Sequence, residues 1–329
     1  MDENFDNIEA STHTFLAVTN LNIDLQSMFD NVQVVSDCDF HRVKDESTGK
    51  TIISVNVITS PASSSASTSP THVINMKYDN RIKGMDVKRQ TKVKWFRNSL
   101  TIVLYFNARL LNCKICKNGM FQVTGCKSEE QLKECVIRLI GILRVYKVKI
   151  EARAPKIEAL LVPVMRNIDF KLGFAVDREK LSTFINSNSN FRCLPETLLG
   201  YTGANIKIEI PGSILDMPIK KMTEDGKTED GNTVSKWSEV TTMYSEYIAT
   251  LPPKDQRRKL TRKRYTTILI FGSGKCIHSS INREYGRQAY LEFMEAMEKA
   301  KVVVEFNTSA ATSDAISAAT SAATFPGSA

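Results

Sequence analysis

Four cysteines in the middle of the chain have the residue type, and in part the spacing, of a zinc site: Cys113, Cys116, Cys126 and Cys135. Zinc in a closed site takes four thiolate or imidazole ligands, often from two Cys-x-x-Cys pairs. Cys113 and Cys116 stand in a strand-like run, where a three-residue offset points two side chains to opposite faces. No second pair completes a site, and the seven cysteines are odd in number. We therefore expect no metal, and buried reduced thiols in an intracellular protein.

Other residues that could carry catalysis lack the required partners. Residues 49–51 (Gly-Lys-Thr) could end a phosphate-binding loop, but Lys44 stands where that loop needs its first glycine. The four histidines show no metal-ligand spacing: His13, His41, His72 and His278. No nucleophile elbow or pair of carboxylates stands out. We expect neither an enzyme nor a cofactor, and we expect His278, on the helix-facing side of a strand, to be a core residue.

The composition indicates a globular protein with a basic surface. The chain has 329 residues, of which 42% are hydrophobic, and 44 Lys and Arg against 36 Asp and Glu give a formal charge of +8. This balance excludes disorder over most of the length. No apolar run approaches the roughly 20 residues of a membrane span, and the acidic N-terminus does not resemble a signal peptide. The basic excess favours a polyanionic partner and no membrane.

The elements that must position the remaining candidate residues occur twice. Residues 115–143 and 270–298 each read as strand, glycine turn, strand and long helix when Gly119 is set on Gly274, an offset of 155. Upstream, Asp24 and Asp177 are good N-caps that each open a short helical pattern, with an offset of 153. The sequence therefore predicts a tandem duplication of one α+β unit.

The predicted boundaries follow this duplication. Residues 44–95 and 212–262 have no counterpart in the other copy and each contains a basic tract, so we expect two loop insertions. The last residues are mostly Ala, Ser and Thr, which is typical of a disordered tail. The expected segments are an acidic tail over 1–11, a first repeat over 12–152, a second repeat over 153–306 and the C-terminal tail over 307–329.

Four segments resemble motifs of the TATA-binding protein family, and two of these motifs stand in the correct order within the duplicated context. VTGCKSEE at 123–130 resembles the segment that precedes the family's long helix, and LIFGSGK at 269–275 resembles its Ile-Phe-x-Ser-Gly-Lys strand pair. DFKLG at 169–173 resembles the opening strand of the family's second half, and PETLLG at 195–200 resembles its stirrup. The long insertions resemble those of divergent members in protists and large DNA viruses. The resemblance covers roughly residues 12–43, 96–146, 157–211 and 263–305.

This resemblance implies an α+β fold, a pseudo-symmetric saddle with a curved antiparallel sheet on its concave face and helices on its convex face. The sheet would bind duplex DNA in the minor groove, which offers few donors and therefore suits an apolar surface. Apolar wedges would unstack base steps and bend the duplex. The DNA-facing residues carried over from the family are Phe271, Leu198, Leu269, Ile277, Ser279, Gln122, Thr124, Cys116 and Leu100.

The family's four phenylalanine wedges are only partly present in this chain. Phe271 is the inner wedge of the second half, and Leu198 is its outer counterpart. In the first half Cys116 occupies the inner position. The outer position falls at one of three residues: Ser99, Leu100 or Ile82. We therefore expect an asymmetric protein, in which the second half wedges DNA and the first half is more polar.

Rim cations and the stirrup supply the other contacts that the resemblance implies. Phosphates would contact Lys114, Arg262, Lys263 and Arg264, which makes affinity salt-dependent. Glu196 occupies the acidic stirrup position that contacts transcription factor IIB in the family. The implied function is a TATA-binding-like transcription initiation factor that binds A·T-rich promoter DNA and recruits RNA polymerase machinery. It would act in a nucleus, or in a cytoplasmic factory or virion if the protein is viral.

Two other functions stay open from the residues alone. The polar first-half face also suits a protein-interaction scaffold of a transcription complex that has lost most DNA bending. The same saddle unit serves as a substrate-binding domain in some DNA glycosylases and ribonuclease H-type enzymes. Both halves are taken up by the duplication here, which leaves no segment for a catalytic domain.

Overall fold

Two compact units make up the described part of the chain. The structure is a computed structural model, which describes residues 4–35, 40–44, 51–55, 71–85, 98–107, 109–195, 203–229 and 232–305. Unit 1 contains the residues up to Glu9, Asn167–Pro211 and those from Lys263 on, and unit 2 contains Ala10–Arg166 and Gly212–Arg262. Each unit has its own hydrophobic core.

The helices and strands are named in chain order. The elements up to residue 152 are a 3₁₀ turn (Phe5–Asn7), β1 (Ala10–Thr19), β2 (Leu21–Ile23), α1 (Leu25–Asn31), β3 (Phe40–Lys44), β4 (Thr51–Val55), β5 (His72–Tyr78), β6 (Arg81–Gly84), β7 (Ser99–Phe106), β8 (Arg109–Cys116), β9 (Met120–Cys126), α2 (Glu129–Val145) and β10 (Ile150–Ala152). The later elements are β11 (Glu158–Lys171), α3 (Arg178–Asn188), β12 (Arg192–Pro195), β13 (Gly203–Glu209), β14 (Pro218–Glu229), β15 (Asn232–Met243), α4 (Tyr244–Ala249), α5 (Pro253–Thr261), β16 (Tyr265–Phe271), β17 (Lys275–Ser280) and α6 (Arg283–Val304). None of these helices is long and apolar enough to span a membrane.

The same order of five strands occurs in both units. It is β5-β7-β8-β9-β1 in unit 2 and β12-β13-β16-β17-β11 in unit 1, with β11 beginning in unit 2 and ending in unit 1. The ladders that join β5, β7, β8, β9 and β1 are antiparallel, as are those that join β12, β13, β16 and β17. In both units a long helix follows the fourth strand of this order along the chain: α2 follows β9, and α6 follows β17. The predicted α+β class and its duplicated unit are confirmed.

The two glycine turns show how closely the copies agree. Gly119 has φ 77° and Gly274 has φ 76°, a left-handed conformation that other residues rarely adopt. Gly119 N donates to Cys116 O at 3.0 Å, and Gly274 N donates to Phe271 O at 2.9 Å. The two glycine carbonyls accept from Thr19 N at 3.0 Å and from Leu172 N at 2.9 Å. Cys116 and Phe271 are therefore equivalent positions.

The predicted helix caps are present in both copies. An Asp24 carboxylate oxygen accepts from the backbone N–H groups of Gln26 and Ser27, both at 3.0 Å. Asp177 does the same for Glu179 and Lys180, both at 3.1 Å. Each cap satisfies donors that the first helical turn leaves without a partner, which is why these short helices begin there.

Each long helix covers one side of its own sheet. In unit 2 the buried stripe of α2 packs with Phe15, Phe121 and Ile102, and in unit 1 Phe293 of α6 packs with Ile268 and Ile270. The predicted α2 stripe is fully buried: Leu132, Val136, Leu139, Ile140 and Leu143. Burial of one such side chain contributes about 1.5–3 kcal/mol, so these stripes hold the layers together. We call the other side of each sheet, away from α2 or α6, the outward face.

Within the described residues both insertions contain strands, contrary to the expected loops. Residues 72–78 form β5, which lies inside the sheet between β6 and β7. Residues 218–243 form the hairpin β14-β15, which pairs with β11 through Glu158–Leu161 and packs in unit 2. Arg144 of α2 holds this hairpin through two 2.6 Å bonds to the Glu224 carboxylate. Contacts to distant parts of the chain, rather than the local polar composition, stabilise these strands.

The acidic N-terminal segment also differs from the expected tail. Phe5 is buried, and its ring lies 5.3 Å from that of Tyr290 on α6, while β1 begins at Ala10. The Asp6 carboxylate accepts from Arg283 at 3.0 Å. Burial of Phe5 thus anchors the N-terminal segment, although its acidic side chains predicted a solvated tail. The predicted C-terminal tail lies outside the described residues.

Candidate nucleic-acid interface

The outward face of unit 1 carries a cross-strand row of apolar side chains. Ile268 and Ile270 are buried under α6, so Leu269 and Phe271 point outward on the alternate positions of β16. Leu269 lies opposite Asn205 on one side and Ile277 on the other. All four side chains on this face are half-buried. The strand register therefore places Leu269, Phe271 and Ile277 on the same face, as predicted.

A glycine on the neighbouring strand makes room for the Leu269 side chain. Gly203 of β13 lies opposite Phe271. A Cβ at Gly203 would come within 2.6 Å of Leu269 Cδ1, so the Leu269 side chain lies across the bare backbone. Ser279 extends the face as the partner of Thr267. A larger residue at position 203 would displace Leu269 and change the outward surface.

Sequence reasoning missed Leu194, which continues the same row at the sheet edge. Leu194 lies opposite Asn205, and its side chain is 58% exposed. Its neighbour Cys193 is buried, so the alternation points Leu194 outward. The signal was present, because an apolar residue follows a core cysteine directly before the stirrup motif.

The outward face of unit 2 is more polar, as expected. Gln122 lies opposite Lys114, and Thr124 lies opposite Asn112. Cys116 also faces outward, and burial raises the pKa of its thiol. The position equivalent to Phe271 therefore carries a small neutral side chain.

Leu100 does not belong to this face, and its assignment as an outer wedge is wrong. It is 0% exposed and lies opposite Ile115, another fully buried residue. Strand β7 instead points Ser99 outward, opposite Cys116, together with Thr101. The insertion before β7 hides the register, so counting from a motif shifted the assignment by one residue. Leu198 and Glu196 lie outside the described residues.

The predicted phosphate-contacting cations have different surroundings. Lys263 Nζ pairs with Glu209 at 2.9 Å, so a phosphate would have to displace that carboxylate. Arg262 is exposed at the end of α5, and Arg264 is half-buried. Lys114 stands on the outward face of unit 2. Their role in phosphate contact stays a prediction.

Part of the outward side of unit 2 is covered by the second insertion. Ala159 and Leu161 of β11 belong to the core under α2, so Leu160 and Val162 point outward, yet both are buried. Lys221 of β14 lies opposite Leu160, and its Nζ pairs with Glu246 of α4 at 3.3 Å. Helix α4 therefore lies on the outward side of β11, an arrangement that no motif indicated.

The cysteines do not assemble as zinc ligands. Cys113 is buried on the helix side and its sulfur lies 3.9 Å from Cys135 Sγ, whereas Cys116 faces outward. Burial raises the pKa of the Cys126 thiol to about 12, so this sulfur stays protonated and neutral. Among the described residues, no three His, Cys, Asp or Glu side chains come together as metal ligands would. His278 is fully buried, with its ring 6.2 Å from Phe5.

These features define a duplicated α+β protein whose outward sheet faces are apolar in one copy and polar in the other. No protein-family model matches the chain. Over 209 residues, or 63% of its length, the chain is 27% identical to Uncharacterized protein 335L of Invertebrate iridescent virus 6. In an alignment of 134 residues that covers 34% of this chain, it is 30% identical to a TATA-box-binding protein-like protein of Acanthamoeba polyphaga mimivirus. The matched segments span 61% and 36% of these two relatives.

A solved structure is also similar to the chain. TBP from Methanococcus jannaschii matches 89% of this chain and 98% of its own, with 11% identity and a TM-score of 0.43. The mimivirus relative, whose name is TATA-box-binding protein-like, agrees with the resemblance that the sequence motifs carry.

Proposed function

We propose that this protein is a TATA-binding-like transcription initiation factor that binds duplex DNA in the minor groove through its outward sheet faces. The observation that carries the proposal is the row of half-buried apolar side chains Leu269, Phe271 and Ile277 on unit 1. Apolar side chains placed side by side on an open sheet face need a binding partner to cover them. The similarity to a TATA-box-binding protein-like viral protein favours DNA as that partner.

The chemistry of this face suits the minor groove. That groove offers mainly acceptors and sugar edges, so a reader needs shape and apolar contact more than a set of hydrogen bonds. An aromatic ring inserted at a base step unstacks it, and the bent duplex then covers more protein surface. Flexible A·T-rich steps deform most easily, which gives a preference without direct base contacts. We assign the wedge to Phe271.

The second half is expected to dominate the interaction. Cys116 at the equivalent position of unit 2 cannot act as an aromatic wedge, and its neighbours Gln122 and Lys114 are polar. A transcription factor IIB-like protein and RNA polymerase machinery are the proposed protein partners, with Glu196 as their contact. The proposed place of action is a nucleus, or a cytoplasmic factory or virion.

The test measures affinity and bending with the full chain on end-labelled A·T-rich and G·C-rich duplexes. We expect Phe271→Ala to weaken binding by about 5- to 150-fold, because stacking of a base on an aromatic ring contributes about 1–3 kcal/mol. Energy transfer between the duplex ends should fall together with the affinity. The matched control is Leu291→Ala, because Leu291 is an apolar residue of α6 that is 54% exposed on the helix side. Unchanged affinity and transfer in Phe271→Ala would show that the wedge assignment is wrong.

A protein-interaction scaffold is the second candidate, and one observation favours it. Helix α4 covers the outward side of β11, where Glu246 accepts from Lys221 and from Thr242 Oγ1 at 2.5 Å. Together with the polar row of Gln122 and Lys114, this leaves unit 2 less sheet surface for a duplex. A scaffold would show no salt-dependent DNA binding in the same titration, whereas a DNA-binding protein loses affinity steeply as salt rises.

A further inference from the structure

Helix α5 has a basic side that acidic side chains of the described chain neutralise only in part. Lys254, Arg257 and Arg258 stand at i, i+3 and i+4, so they share one side of the helix, and all three are exposed. Arg258 pairs with Asp255 at 3.1 Å. Within the ranges that the structure describes, neither Lys254 nor Arg257 contacts an acidic side chain. The three guanidinium and ammonium groups thus form one cationic surface, which we call the α5 basic side.

The ordinary requirements of a helix do not explain these charges. Arg258 and Lys259 stand in the last turn, where cations interact favourably with the helix dipole. Lys254 stands in the first turn, at the positive end of the dipole, where a cation is unfavourable. Lys254 and Arg258 also repel each other, because like charges four residues apart are neighbours on a helix. A bound polyanion would remove both penalties.

The α5 basic side is presented by a folded support and is not a free run of charges. Pro253 opens the helix, and Gln256 Nε2 donates to Leu251 O at 2.8 Å. On its other side, Lys259 Nζ lies 5.6 Å from the ring centre of Tyr247, a buried residue of α4. None of the residues of α5 is itself buried, so the helix contributes no core. The contacts to Leu251 and Tyr247 therefore position the helix, and its exposed side is open to a partner.

We propose that the α5 basic side binds the phosphate backbone of duplex DNA, as a second contact beyond the sheet faces. The proposal rests on the proposed function, because it assumes that the outward faces engage a duplex. Arg and Lys side chains on one side of a rigid element neutralise successive phosphates and release their counterions. The contact would carry no sequence information and would strengthen binding to all duplexes alike.

The test compares the salt dependence of DNA affinity between charge-matched variants of the full chain. The variant Lys254→Gln/Arg257→Gln/Arg258→Gln removes the α5 basic side. The control Lys180→Gln/Lys299→Gln/Lys301→Gln removes the same charge from exposed positions on α3 and α6. The measured quantity is the slope of log K against log salt on one A·T-rich and one G·C-rich duplex. Circular dichroism melts check that both variants are folded.

Each lost phosphate contact lowers the magnitude of this slope by about 0.9. The slope of the α5 variant should therefore be smaller in magnitude by about 2–3 on both duplexes. The control variant should keep the slope of the unaltered chain. If both variants still bind DNA and their slopes are equal, the inference is overturned. The α5 basic side would then have an acidic protein segment as its partner. If the unaltered chain binds neither duplex, the proposed function itself fails, and this inference fails with it.

Discussion

The glycine turn that holds Phe271 gives the sharpest test of the fold. Gly274 has φ 76°, and a Cβ built on it would lie 2.0 Å from the carbonyl oxygen of Phe174. The left-handed conformation alone costs a residue with a Cβ about 1–2 kcal/mol. The contact adds to this cost, because the Cβ is fixed by its own backbone and the oxygen it meets belongs to the backbone of Phe174, so one of the two segments must move. We expect Gly274→Ala to lower the free energy of unfolding by about 3–5 kcal/mol.

Alanine substitutions at two other glycines distinguish the cost of the left-handed conformation from the cost of the steric contact. Gly173 has φ 84° with no atom within 4 Å of an added Cβ, so Gly173→Ala should lose only the conformational cost of about 1–2 kcal/mol. Gly141 lies inside α2 without a positive φ, and an added Cβ there also meets no atom within 4 Å. Gly141→Ala should therefore stabilise the protein by about 0.4–1 kcal/mol, since alanine favours a helix interior.

The assay is urea unfolding of the three variants, followed by circular dichroism and compared through their midpoints and slopes. The expected order of stability is Gly141→Ala, then the unaltered chain, then Gly173→Ala, then Gly274→Ala. DNA affinity should fall with Gly274→Ala as well, because Gly274 N donates to Phe271 O in the turn. A Gly274→Ala variant no less stable than Gly173→Ala would refute the close approach to Phe174.

Two further predictions concern charged groups of unit 2. Glu224→Gln should lower the free energy of unfolding by about 1–3 kcal/mol, because it weakens two 2.6 Å bonds to Arg144, while Arg144, 41% exposed, regains water and limits the loss. Urea midpoints and hydrogen exchange of β14 measure this effect. The control is Asp225→Asn, whose carboxylate pairs with the exposed Lys156 at 2.7 Å; it should change both quantities little, because exposed ion pairs contribute little to stability. Burial, with Arg166 and Lys127 nearby, lowers the pKa of His13 to about 4, so the unfolded chain binds a proton there before the folded one does as the pH falls. Stability therefore does not depend on the protonation of His13 above about pH 6.5, and the free energy of unfolding falls as the pH drops from about 6.5 towards 4. The loss is at most about 2 kcal/mol, because the ring is partly solvated. In His13→Gln the urea midpoint should depend less on pH across this range. A decline as steep as that of the unaltered chain would contradict the assignment.

Local physical chemistry determined the parts that the sequence predicted well. Asp24 and Asp177 cap helices because a carboxylate beside free N–H groups needs no distant partner. The α2 stripe is buried because a period of 3.6 residues gathers its apolar side chains on one side. Gly119 and Gly274 mark turns because other residues rarely adopt their conformation. Repeated in the same order, these local signals established the duplication and the α+β class.

The facing of the β16 and β17 residues could also be predicted, since a two-residue period and an intact motif fix which side chains share a face. The wedge of the first half could not. Leu100 follows an insertion that breaks the count from the nearest motif, and a shift of one residue moves a side chain to the other face. Only the pairing of Leu100 with Ile115 and of Ser99 with Cys116 decided which of them points outward.

Tertiary structure alone decided what the second insertion does. Its polar composition predicted a loop, yet β14 pairs with β11, and Glu224 meets Arg144, a residue 80 positions away in the chain. Helix α4 reaches the outward side of β11 through Glu246, and its Tyr247 lies against Lys259 of α5. Such contacts depend on which distant surfaces fold against each other, and no local pattern encodes them. The sequence by itself determined the repeated unit and its apolar face, and the packing of the chain determined how much of that face remains open.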